Sequence, residues 1–244
     1  SFAYKKGIAW YISIPEDRKI AMEIVDILRP VLENNRIILV GQNIKFDAMV
    51  MKNYGVEVTG PFFDTMIAHY LLEPEMRHNM DYLSESYLDY KPVSITSLIG
   101  KKGAGQKTMR EVSKEVIKEY AAEDADITFQ LKQNFSPILD KAETKKLFDE
   151  IEIPLIPVLA AMELEGINLD VPFLKSMSVE MAKESAALEQ KIYETAGEKF
   201  NLASPKQLGD ILFDKLKIGG AKQKKTKTGQ YATGEEILSY LAND

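Results

Sequence analysis

The run Ile37-Ile38-Leu39-Val40 constrains this chain more than any other short segment. Four consecutive apolar residues leave no wet face, so the run reads as a strand covered on both sides, the kind found in α/β proteins. Gly41-Gln42-Asn43 follows at once, and then a helical stretch. Upstream, residues 8–14 are β-rich and stop at Pro15, and residues 17–33 place Ile20, Ile24, Ile27, Leu28 and Val31 on one helical face. Downstream, Val56-Glu57-Val58 is read as a further short strand. Phe62-Phe63-Asp64-Thr65 leads into a helix through Leu72, with Asp64 as its cap.

From about residue 64 the pattern is mostly helical. Residues 79–90 and 108–140 carry helical periodicity, with a lysine- and glycine-rich loop between them at 100–105. That loop lacks the P-loop pattern and a preceding strand, so a phosphate-binding role is not expected of it. A domain boundary is placed near residue 142, in the polar run 140–146. Beyond it, residues 147–165 are helical with Gly166 as a C-terminal cap. Asp170-Val171-Pro172 starts a long amphipathic helix that ends at Gly197 and carries Leu174, Met177, Met181, Leu188 and Ile192. Ser204-Pro205 starts another, and a final helix covers about 234–243. His69 and His78 read as isolated structural residues.

With 45% hydrophobic and 28% charged residues among 244, the chain reads as a soluble globular protein able to bury a substantial core. It has no cysteine, which excludes disulfides and thiolate metal sites. No apolar run approaches the length of a membrane span, and a cytoplasmic protein with no membrane partner is expected. Net charge is −6 but unevenly placed. Residues 198–230 hold eight lysines against three acids, a local +5 that leaves −11 elsewhere: an acidic body with one basic arm.

Two acidic stretches carry the chemistry. Asn43-Ile44-Lys45-Phe46-Asp47 reads N-x-x-[FY]-D after the apolar run, and Tyr120-Ala121-Ala122-Glu123-Asp124 reads Y-x-x-x-D on a helix. Taken singly, Asp47 reads as a helix N-cap, and residues 119–126 as a solvated acidic face. Taken together they suggest a two-metal phosphodiesterase. That chemistry needs carboxylates converging from distant positions, with the cations about 3.5–4 Å apart. Magnesium and manganese prefer such oxygen donors.

These stretches resemble the second and third exonuclease motifs of the family A DNA polymerases. Phe63-Asp64-Thr65-Met66 and His78-Asn79-Met80-Asp81-Tyr82-Leu83 resemble segments between those motifs. The runs 151–159, 165–170 and 200–208 resemble the entry to the polymerase thumb and a thumb helix that approaches DNA. The resemblance implies a ribonuclease-H-like 3′→5′ exonuclease domain over residues 1–142 and an all-α thumb portion over 143–244. It implies that Asp47 and Asp124 ligate Mg²⁺ or Mn²⁺, that Tyr120 positions the attacking water, and that Asn43 supports the site. DNA, as primer–template and as a single-stranded 3′ end, is the implied partner, with deoxynucleotides as substrates of the parent enzyme. Contacts to DNA are expected from Ser204, Lys206, Gln207, Lys222, Lys224, Lys225 and Lys227. Thr96 and Met109 stand where relatives often have phenylalanine.

The family's first exonuclease motif, an Asp-x-Glu on the first strand, has no counterpart in this sequence, nor do the palm and fingers. The expectation is therefore a fragment with half a metal site, negligible hydrolysis of DNA and weak DNA binding, with a sheet that is gapped, repaired or completed by a strand from another copy, or else with marginal stability. Two alternatives stand beside this one. One is a ribonuclease-D-like exoribonuclease, which shares both motifs. The other is a degenerate nuclease fold kept as a DNA-binding scaffold.

Overall fold

A computed structural model describes residues 1–219, 223, 225, 226 and 229–242. The protein is α/β and mostly helical, in two compact units, 1–166 and 167–244.

The first unit opens with a hairpin, β1 (Phe2–Lys5) and β2 (Ile8–Trp10), turning at Gly7 with φ 76°. Helix α1 (Arg18–Leu32) is capped by Asp17, whose carboxylate accepts the amides of Lys19 and Ile20. Next come β3 (Leu39–Gly41), α2 (Ile44–Lys52) and β4 (Phe62–Asp64), which form a parallel pair joined through a helix. Leu39, Val40 and Gly41 stand opposite Phe62, Phe63 and Asp64. Helices α3 (Thr65–Leu72), α4 (Met80–Leu88), α5 (Ile95–Ile99) and α6 (Lys114–Leu139) follow. A short α7 (Lys145–Leu147) leads through a wide π-type turn (Phe148–Glu152) into α8 (Ile153–Glu165). These last segments lie beyond residue 142, yet the turn packs on α3, and α8 packs on α2 and β4.

Helix α6 organises this unit. It packs across β1, β2, β3, α3 and α4. Its Ile127, Leu131, Phe135 and Leu139 meet Phe63, Ala68, Leu83 and Phe148 in the main core. A smaller core gathers Val25, Leu32 and Val56.

Three expectations about the strands need correction. The described strands form two separate two-stranded sheets, so β3 has β4 as its only strand neighbour. Ile37 and Ile38 therefore lie outside the strand and exposed, not covered on both faces. The β-rich stretch 8–14 is strand only to Trp10. Val56-Glu57-Val58 is no strand, and Val56 serves instead as the buried centre of the smaller core. The histidines are not isolated either. His69 is fully buried and its Nδ1 lies 2.7 Å from Nδ1 of His78, so one ring donates and the other accepts. Nε2 of His69 meets the Tyr87 hydroxyl at 3.0 Å. The pair staples the 73–79 loop to α3.

The second unit begins with α9 (Val171–Ala196), capped by Asp170 at the Phe173 amide and ended by Gly197 in the left-handed conformation. Next comes α10 (Pro205–Gly209), which runs on as a π-type turn (Asp210–Lys215) around buried Ile211 and Phe213. The last helix, α11, spans Glu235–Leu241. Among the described residues no helix is long and apolar enough to cross a membrane.

Candidate active site

Asp47 sits in the first turn of α2, and what holds that turn is Asp64. A side chain at Gly41 would press to 2.6 Å from Cβ of Ile44, so only glycine lets β3 turn this tightly into α2. Asn43 then takes φ 66°, a left-handed conformation that asparagine tolerates better than most residues, and its side chain makes no capping bond. The capping is done from β4. Asp64 Oδ2 accepts the Ile44 amide at 2.7 Å, while Oδ1 accepts the amides of Met66 and Ile67 at 2.9 and 3.2 Å. One carboxylate, 1% exposed, thus satisfies the starts of both α2 and α3. Asp64 is a cap, as its position after the strand predicts. Asp47 is not one, and its carboxylate remains free for other work.

The Asp47 residue is exposed at its surface, yet surrounding protein strips water from its carboxyl and pushes its pKa up. The Asp64 charge pushes the same way.

On α6, Tyr120 and Asp124 lie one turn apart, close enough for each to perturb the other's titration. Burial first, then the Asp124 charge, pushes the Tyr120 hydroxyl up to about 12. It therefore keeps its proton at neutral pH and acts as a donor. The Asp124 carboxyl is pushed up to about 6, by burial first and then by Glu123 and Asp81, while Tyr120 pulls it down.

Residues 119–126 are not one solvated face. Glu119 is exposed beside Lys118, but Glu123, Asp124 and Asp126 are half-buried and have separate tasks. Glu123 accepts the Tyr90 hydroxyl at 2.6 Å and the Val93 amide at 2.9 Å. Asp126 accepts the Gly7 amide at 2.7 Å and Gln130 at 2.8 Å, which fastens the β1–β2 turn to α6. Asp124 is left to face Tyr120. The tasks of Glu123 and Asp126 escape sequence reading because Tyr90, Val93 and Gly7 are distant in the chain. The one signal was the crowding of acids on a short helical stretch.

Among the described residues no three His, Cys, Asp or Glu side chains come together in a way that could hold a metal ion. The donors are the hard oxygens that magnesium and manganese select, but these residues do not by themselves fit a two-metal centre.

In the basic arm, the Ser204 hydroxyl accepts the Gln207 amide at 3.4 Å, and the Gln207 side chain accepts the Asn201 amide at 2.8 Å. Both side chains accept local bonds and keep their donor groups. Lys206 is exposed. Lys225 lies over the Tyr231 ring at 4.8 Å. Lys222, Lys224 and Lys227 lie outside the described residues.

The fold and motifs meet the comparisons here. Residues 5–140 match the family model for 3′-5′ exonuclease, and residues 171–244 match the model for DNA polymerase family A. A nuclease segment followed by a polymerase segment defines the class of protein. The DNA polymerase I of Rhizobium leguminosarum is 42% identical over 88% of this chain and 21% of its own length. That of Pseudomonas aeruginosa is 38% identical over 99% of this chain and 27% of its own. A solved structure, the POL domain of Pol1 from M. smegmatis in complex with DNA primer-template and dNTP, superposes with TM-score 0.70 at 25% identity. It covers 94% of this chain and 35% of that one. The chain belongs to the family A DNA polymerases. It spans about a fifth to a quarter of the length of the two curated relatives above. The polymerase match over 171–244 tells against the ribonuclease-D-like alternative.

Proposed function

We propose that this chain is the proofreading and thumb-entry portion of a DNA polymerase I-type enzyme. The parent enzyme synthesises DNA on a template from deoxynucleotides and removes mispaired 3′ ends by metal-dependent phosphodiester hydrolysis, in the cytoplasm. On this reading residues 1–142 are a ribonuclease-H-like nuclease domain and 143–244 enter the thumb. Asp47 and Asp124 are among the oxygen donors to Mg²⁺ or Mn²⁺. Tyr120, which keeps its proton, orients the attacking water as a donor. Asn43, through its left-handed turn, sets the angle at which α2 presents Asp47. Lys206 and Lys225, with Lys222, Lys224 and Lys227, contact the DNA backbone.

The observation that carries this reading is the division of labour on α6. Neighbouring acids are tied to structure, while Asp124 faces a tyrosine one turn away and its carboxyl is raised. Raised carboxyls with a specific partner are a mark of functional sites. The test uses a 5′-labelled single-stranded oligonucleotide with manganese. The 1–244 chain should release nucleotides negligibly, because among the described residues no three acids come together to hold a metal. In a full-length enzyme carrying this segment, Asp124→Asn should abolish 3′→5′ release and spare polymerisation. Robust Asp124-dependent release by 1–244 would contradict the first expectation; unimpaired proofreading in the Asp124→Asn enzyme would contradict the second.

A further inference from the structure

Between α5 and α6 the chain carries a concentration of positive charge that the reading above does not use. Residues 101–110 contain Lys101, Lys102, Lys107 and Arg110 and no acid, in a protein of net charge −6. Arg110 pairs with Glu16. The three lysines have no ion-pair partner among the described residues, and residues 100–108 are all exposed.

The loop is closed by its own backbone bonds. The Lys107 amide donates to the Ile99 carbonyl at 2.9 Å, and the Gln106 amide to Gly103 at 3.0 Å, which closes the loop on itself. Gly100 and Gly103 have φ of 83° and 155°. At Gly100, Gly103 and Gly105 a side chain would meet nothing within 4 Å, so the backbone there is open to close approach by a ligand. The segment stands on α6 at both ends. One foot is Glu123, adjacent to Asp124, which holds Tyr90 and Val93 just ahead of α5. The other is Ser113, the cap of α6. At the rise of a helix these feet are about 15 Å apart. The loop therefore belongs to a segment whose two ends are fixed on α6, one of them beside Asp124.

We infer that the 100–107 loop is a contact surface for the sugar–phosphate backbone of a single DNA strand whose 3′ end reaches Asp124. Missing the P-loop pattern excludes a nucleotide cradle, but it has no bearing on charge contacts to a passing strand. Three exposed lysines, of which only Lys107 has, among the described residues, an acid close enough to feel it, Glu111, stand on an open glycine backbone that suits a flexible polyanion and reads no sequence. This inference rests on the nuclease reading and adds a tracking surface to it.

The test measures binding of a fluorescein-labelled oligothymidylate of about 12 nucleotides to the 1–244 chain by anisotropy across a salt series. In the triple variant Lys101→Gln, Lys102→Gln, Lys107→Gln, the slope of log affinity against log salt should become shallower by about 0.7 per lost phosphate contact, and affinity should fall roughly tenfold to a hundredfold at low salt. A charge-matched variant on α9, Lys175→Gln, Lys183→Gln, Lys191→Gln, should retain most of the affinity. If the two triples lose affinity equally, the effect is net charge and the loop assignment is overturned. If the loop triple matches the unaltered chain in affinity and slope, the loop assignment fails while strand binding itself stands. If the unaltered chain shows no salt-dependent binding, the single-strand partner of the nuclease reading fails as well.

Discussion

Helices α6 and α9 are both 26 residues long, start from a capping side chain and carry apolar residues at helical spacing. Their fates differ. Helix α6 buries Ile127, Thr128, Leu131, Phe135 and Leu139, whereas α9 buries only Ala196. Bonds to distant positions also tie α6 down: the Gly7 amide to Asp126, the Tyr90 hydroxyl to Glu123, and the Asn134 side chain to the Tyr87 carbonyl at 3.0 Å. The side-chain bonds on α9 are local, such as Gln190 to Glu194, and its Phe173, Met181 and Leu188 remain about 59% exposed. Periodicity announces that a helix has an apolar stripe. Whether the stripe is covered depends on partners elsewhere.

Substitutions can break or sharpen this contrast. The largest effect should come from Phe135→Ala, which empties a fully buried site packed by Leu83 and Leu131. It should cost about 3–5 kcal/mol in urea unfolding. A cost below about 1 kcal/mol would mean that α6 is not the organiser described above. Asp64→Ala should come next, at about 2–4 kcal/mol. It leaves buried amides at two helix starts without an acceptor. Asp64→Asn, which keeps part of the acceptor set, should cost less.

Asp124→Asn should act in the opposite direction. The folded-state pKa of Asp124 lies near 6, above the ordinary carboxylate value of 3.8, so folding favours the protonated form. That contribution is present below about pH 4 and is lost as pH rises through about 6. With chelator present, the asparagine variant should therefore be more stable at pH 7.5 by about 1–2 kcal/mol, allowing for partial solvent screening. The advantage should vanish near pH 3.5, and thermal melts at the two pH values read both arms. The smallest effect belongs to α9, where Leu188→Ala should change stability by less than about 0.5 kcal/mol. A cost comparable to that of Phe135→Ala would show that the α9 stripe is covered after all.

What was legible in the sequence was local. Asp64, Asp170 and Ser204 were readable as caps because a cap bonds amides two or three residues away, inside the window that a motif spans. The same holds for the Y-x-x-x-D pair, whose members face each other across one helical turn. What escaped depended on distance along the chain. Nothing near His69 reveals that its ring meets His78, and nothing in Ile37-Ile38 reveals that β3 has a strand on one side only. The acids of α6 show the limit most clearly. Glu123 and Asp126 look alike on paper, but one grips residues 90 and 93 and the other residue 7.

The shared carboxylate of Asp64 has a mechanical consequence. Because a single pair of oxygens seats two helices, neither can tilt or slide at its first turn without loosening the other. A disturbance in the helix that bears His69 is therefore delivered to the turn that bears Asp47, across a rigid joint only a few bonds wide.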